Sequence, residues 1–408
     1  MNKALIDETI RAHSAPSVVP TKRDTWDRIL IITGSLGLVF SLLTATILGG
    51  LSLFARQPVA VGVEAASILA VGMLAAPAIY WGARGSADRA VRRPGPAWIL
   101  ALLLFPLALV LGILAFEVGT LPRLLGPIAH ILAAGGPVLF VVSVSLSRGP
   151  LFSARRRWAH FLAGLWVTPP LSLFLELIAL VVVGLLMFVG LALTPQGQSL
   201  LQELLAIELA SEQEVIDLAT RLLTQPIVIL LGVGLLSGAV PLIEELLKSL
   251  TIWPLLMRPM TAGQAFLGGA LGGAGYALFE SLFLPQAGED WVITMLARAG
   301  TPLIHAFNTG LVCWGLAEGV RRKRWLFSAG TYILAVGLHG MWNLAAIGIG
   351  LSGLAVGSGP NYLDPILMSA VGYLGLLGLF GLTVGSLAGL IWLPARLESE
   401  RPALPRRT

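Results

Sequence analysis

The chain has 408 residues, 56% hydrophobic and 12% charged, with a mean hydropathy of +0.84. Soluble domains carry about 25% charged residues, so a water-soluble fold is excluded and the bilayer must solvate much of this chain. A pI near 9.7 would suggest nucleic acid in a soluble protein. Here the Lys and Arg lie between apolar runs, which is the orientation signal of a membrane protein, and nucleic-acid binding is set aside.

The expected fold is all-α: a polytopic transmembrane bundle of about ten spans, multi-pass in a cell or cytoplasmic membrane. Residues 1–28 form a polar segment without the features of a cleaved signal, so the first apolar run is retained as an anchor. Five spans follow between 29 and 195, as an accessory membrane region: 29–54, 59–83, 97–118, 122–147 and 158–193. The fifth is interrupted at Pro169-Pro170, consistent with either a kinked span or two short helices. Residues 196–225 form the longest outer loop, and within it 200–223 read as one amphipathic helix with an acidic face. Four spans, 226–257, 264–284, 299–319 and 326–350, make a core from 226 to 350. A last span falls within 351–394, and 395–408 form a disordered tail. With both termini cytoplasmic, 22 of the 27 Lys and Arg fall on the inner side and four on the outer side, and the bias never reverses along the chain. The single Cys313 lies within a span, so there is no disulfide framework.

Ionisable residues within a membrane are costly and mark function by default. Glu64, His130, His160 and Glu176 occur singly in the first five spans and read as structural or second-site residues. Spans six to nine hold a dense set: Glu244, Glu245 and Lys248 in EELLK, Glu280 in YALFE, His305 in PLIHAFNTG, and His339 with Asn343 in HGMWN. Glu244 and Lys248 are four apart and share a helix face, while Glu245 is rotated by about 100°. His339 and Asn343 are also four apart, so the amide can orient the imidazole or bond an oxyanion. Glu244, Glu280, His305 and His339 each lie 14 to 16 residues from the inner end of their span. At about 1.5 Å per residue this is one layer roughly 21–24 Å from the inner boundary. In a hydrocarbon core about 30 Å thick, that layer is in the outer half.

Two imidazoles and a carboxylate form a common ligand set for catalytic zinc with one position open to water. Glu280, His305 and His339 are candidate Zn2+ ligands, with Glu244 or Glu245 as general base and Lys248 and Asn343 assisting. A metal-free version, with a carboxylate activating water and His339 and Asn343 holding the oxyanion, is equally open. No HExxH is present. Plainer readings exist for each motif: a structural ion pair for Glu244, Glu245 and Lys248, a satisfied core His305, and interhelical hydrogen bonding for His339 and Asn343.

EELLK (Glu244–Lys248), YALFE (Tyr276–Glu280), the His305 segment with Arg298 upstream, and HGMWN (His339–Asn343) resemble the ordered motifs of the PrsW family, a branch of the wider CAAX-protease-like group. Tyr276 stands where that family usually has Phe. The resemblance spans about 226–350 and implies an intramembrane peptidase of metallo or glutamate type. Its substrate would be a membrane-anchored protein or peptide cut on the outer side. The implied functional set is Glu244, Glu245, Glu280, His305 and His339. Two alternatives use the same residues: a proton- or ion-coupled transporter, disfavoured by the absence of an internal repeat, and an inactive membrane scaffold.

Overall fold

The computed structural model describes residues 25–55, 58–84, 97–117, 122–148, 153–206, 212–257, 260–283, 291–357 and 365–399. All regular structure among them is helical. The expected segment 1–28 lies almost wholly outside these residues, as does the chain after Ser399.

The first half runs through α1 (Thr25–Ser52), α2 (Pro58–Met73), α3 (Ala76–Arg84), α4 (Ala97–Gly112) and α5 (Pro122–Arg148). Next comes α6 (Ala154–Leu162), joined by a π turn at Ala163–Val167 to α7 (Thr168–Ala192). Pro169 and Pro170 sit in the first turn of α7, where no intrahelical donor is needed. The path from Ala154 to Ala192 is therefore one long helical run with a π turn in it. The exposed side chains of α7 are apolar, with Phe174 63% and Leu185 61% accessible, a pattern that suits lipid and not water.

The expected single amphipathic helix over 200–223 is instead two, α8 (Pro195–Leu205) and α9 (Glu212–Leu223). Ala206 ends α8 by leaving helical geometry, and Arg221 of α9 pairs with Glu203 of α8. The sixth run is α10 (Pro226–Gly234), a π turn at Leu235–Ala239, and α11 (Val240–Lys248). Pro241 offers no amide donor, and the ladder widens just ahead of it. The remaining helices are α12 (Ala262–Phe283), α13 (Trp291–Ala297), α14 (Thr301–Arg322), α15 (Trp325–Gly357) and α16 (Pro365–Ser399). The tail expected to be disordered from 395 is helical as far as Ser399.

Eight of the described helical runs are long and apolar enough to cross a membrane. The expected spans at 264–284 and 299–319 are present as α12 and α14, but they are not among the eight. Both helices are almost entirely buried inside the protein, so their surfaces need not be lipid-like. α12 is the central post. A Cβ at Gly273 would fall onto the His305 carbonyl, and one at Gly269 would fall onto the Thr309 carbonyl, both on α14. On its other side Gly275 meets the Phe161 carbonyl of α6. Small residues here permit backbone contact on two faces at once. That contact fixes the height of Glu280 against His305.

Candidate active site

The sixth run, α12, α14 and α15 bring their ionisable groups to one buried point. The π turn ahead of α11 sets the rotation of Glu244, Glu245 and Lys248, all of them buried. Lys248 Nζ lies 2.6 Å from Glu244 Oε2, 3.0 Å from Glu245 Oε1 and 2.6 Å from His305 Nδ1. The ammonium also sits 4.3 Å above the Tyr276 ring, which closes its remaining side. Two carboxylates around one cation are what allow a lysine with no exposed surface.

The two imidazoles are each gripped from behind. His305 Nε2 donates to Glu280 Oε2 at 2.9 Å, and Arg298 donates to the same oxygen at 3.0 Å. His339 Nδ1 donates to Glu245 Oε1 at 2.9 Å. Because carboxylates accept there, those nitrogens carry the hydrogens. The lone pairs are left on His305 Nδ1 and His339 Nε2. The rings are 5.0 Å apart and nearly perpendicular. His339 Nε2 stands 3.9 Å from Glu244 Oε2. Glu245 Oε2 is buried without a hydrogen-bond partner.

Donor atoms of Glu244, His305 and His339 all lie within 4.8 Å of one another, and all three residues are buried. They form a group that could hold a metal ion. The donor chemistry fits catalytic zinc, two imidazoles and a carboxylate. So does the outer layer, since metal-binding histidines characteristically bond a carboxylate through their second nitrogen, as Glu280 and Glu245 do here.

Among the candidate ligands read from sequence, Glu280 thus lies behind His305, and the carboxylate that shares the space between the imidazoles is that of Glu244. Helix depth alone put both at one level and could not tell front from back. Asn343 is not bonded to His339. Its amide donates to the Leu236 carbonyl at 2.7 Å, inside the π turn. An i, i+4 spacing allows the imidazole contact but does not compel it, and an opened backbone carbonyl was the better acceptor. Tyr332 of α15 makes a parallel tie to the Leu242 carbonyl at 2.7 Å. Sequence reading passed over Tyr332, since an aromatic near a span end usually marks the membrane interface.

The histidines read as structural have ordinary partners. His130 contacts the Leu282 carbonyl and accepts from Trp291, and His160 contacts the Thr251 carbonyl. Glu176 is on α7, which packs against α11, and its Oε1 is buried without a hydrogen bond.

No curated protein and no solved structure matches the chain. The family model described as PrsW family intramembrane metalloprotease matches residues 177–371, the stretch holding all the helices that build this site. The chain is therefore a membrane-type helical protein whose residues 177–371 match the family model of PrsW intramembrane metalloproteases.

Proposed function

We propose that the protein hydrolyses a peptide bond of a membrane-anchored protein or peptide, at a polar site in the outer half of the bilayer. The observation that carries this reading is the buried convergence of Glu244, His305 and His339 within 4.8 Å. In this reading the attacking water is bonded by Glu244 Oε2 and His339 Nε2, which stand 3.9 Å apart. A carboxylate of the Glu244–Glu245 pair takes its proton, the water oxygen bonds to the scissile carbonyl carbon, and the same proton is returned to the departing amine. Lys248 sets its ammonium against both carboxylates of that pair, at 2.6 and 3.0 Å. Glu245 and Glu280 fix the ring orientation and tautomer of His339 and His305. Arg298 holds Glu280 in place.

In the metallo form, Glu244, His305 and His339 would hold the ion. It would supply Lewis acidity toward the water and the carbonyl. A glutamate form is favoured by one observation: Lys248 Nζ already sets a positive charge among Glu244, Glu245 and His305. There, Glu244 alone activates the water.

The test uses the full chain in liposomes with a single-span peptide carrying a quenched fluorophore pair across its outer juxtamembrane segment. Glu244→Ala, His305→Ala and His339→Ala each lower cleavage by about 10²- to 10⁴-fold while elution profiles stay unchanged. Wild-type cleavage by a triple variant would end the peptidase reading, and proton flux lost in Glu280→Gln would replace it with transport. Exhaustive chelation abolishes the metallo activity and leaves the glutamate activity intact.

A further inference from the structure

A second site lies at the end of α14, well removed along that helix from His305. α14 ends at Arg322 and reverses into α15 through Lys323, which adopts a left-handed φ of 59°. The reversal leaves Arg321, Arg322 and Arg324 around one cavity of about 300 Å³, closed on the inside by the start of α12 and by Leu397 of α16. Glu318 is buried at its edge and accepts from Arg322 and Arg324 at 3.1 Å each. Three arginines against one carboxylate leave the cavity with two net positive charges, and Arg321 takes no part in the Glu318 cluster.

Directly beside it, sharing Trp314 and Leu397 as walls, is an apolar groove of about 450 Å³ between α14 and α16. Phe307, Leu311 and Leu393 line it, with Trp392 exposed along the rim and Arg396 over the Trp392 ring. From Trp314 back to Phe307 the groove follows α14 for about 10 Å, two helical turns. A free phosphate would use the basic cavity and leave the groove empty. An apolar peptide would use the groove and leave the arginines without a counter-charge. A molecule with an anionic head joined to a hydrocarbon chain uses both.

We propose that this composite pocket is a binding site for an anionic phospholipid, with its phosphate among Arg321, Arg322 and Arg324 and an acyl chain in the groove between α14 and α16. The arginines are also those that the positive-inside bias assigns to the cytoplasmic leaflet, where anionic lipids attract basic residues. The site is independent of the proteolytic reading, because none of its residues belongs to the buried Glu/His group.

The full chain is purified from vesicles of equal phosphatidylglycerol and phosphatidylcholine with matched acyl chains, and retained lipid is weighed by native mass spectrometry. Phosphatidylglycerol is retained over phosphatidylcholine by about tenfold or more, as expected for several basic contacts. Arg321→Glu removes that preference while leaving Glu318 paired, and Arg406→Glu, an equal change of charge in the C-terminal tail, keeps it. If the reversed charge prevents folding, Arg321→Gln gives a smaller loss in the same direction. Equal retention of the two lipids, an unchanged preference in the Arg321 variants, or stripping of the lipid by millimolar inorganic phosphate would each overturn the proposal.

Discussion

Lys248 is the residue on which the site's charge balance turns. It has no exposed surface, and its partners are two carboxylates and the His305 imidazole. Replacing one member of a buried ion cluster leaves the others uncompensated, at a cost of about 3–5 kcal/mol. Lys248→Met is therefore expected to lower unfolding stability by that amount in a denaturant titration. The double variant Lys248→Met/Glu245→Gln recovers part of the loss, since it removes the excess negative charge. Additive losses would mean that the two groups do not interact in the folded state. The sequence placed Lys248 beside Glu244 through their spacing, and the i, i+3 contact with Glu245 follows from the same helix, but the contact with His305 needed a second helix.

At the scale of elements, the α12–α14 pair decides where Glu280 meets His305. Gly273 touches the His305 backbone, and a backbone cannot turn aside as a side chain can. Gly273→Ala is expected to push the helices apart, cost about 1–3 kcal/mol, and reduce cleavage at least tenfold. Gly330→Ala in α15, where an added methyl meets nothing within 4 Å, should be neutral or stabilising by about 0.5–1 kcal/mol. Thermal unfolding of both variants separates a contact effect from a general loss of glycine. The π turn at Leu235–Ala239 is the second such element. Asn343 and Tyr332 anchor it and the following turn to α15, so these ties act on the placement of Glu244 and Glu245 through the backbone.

For the whole molecule, the apolar outer helices enclose two less apolar ones. α12 and α14 can carry Glu280 and His305 because they are shielded by protein on nearly every side. The orientation read from the charge bias predicts opposite labelling at two positions. In a Cys313→Ala background, Gln198→Cys should react with an impermeant maleimide from outside intact cells, and Lys323→Cys only after permeabilisation. Reaction of Lys323→Cys in intact cells would reverse the orientation and would put the arginine pocket in the outer leaflet.

Composition and apolar run length determined that this is a helical membrane protein, because no other solvent suits such a surface. The ordered EELLK, YALFE, His305 and HGMWN segments determined which helices carry the candidate site, because ionisable groups survive in lipid only where other groups compensate them. Those signals are one-dimensional, and depth along a helix is the most they encode. Which side of each helix faces which neighbour depended on a π turn before Pro241, on glycine contacts that bring α12 against α14, and on competition for hydrogen-bond acceptors. Those long-range choices alone put Glu244 between the imidazoles, Glu280 behind His305, and Asn343 on a backbone carbonyl.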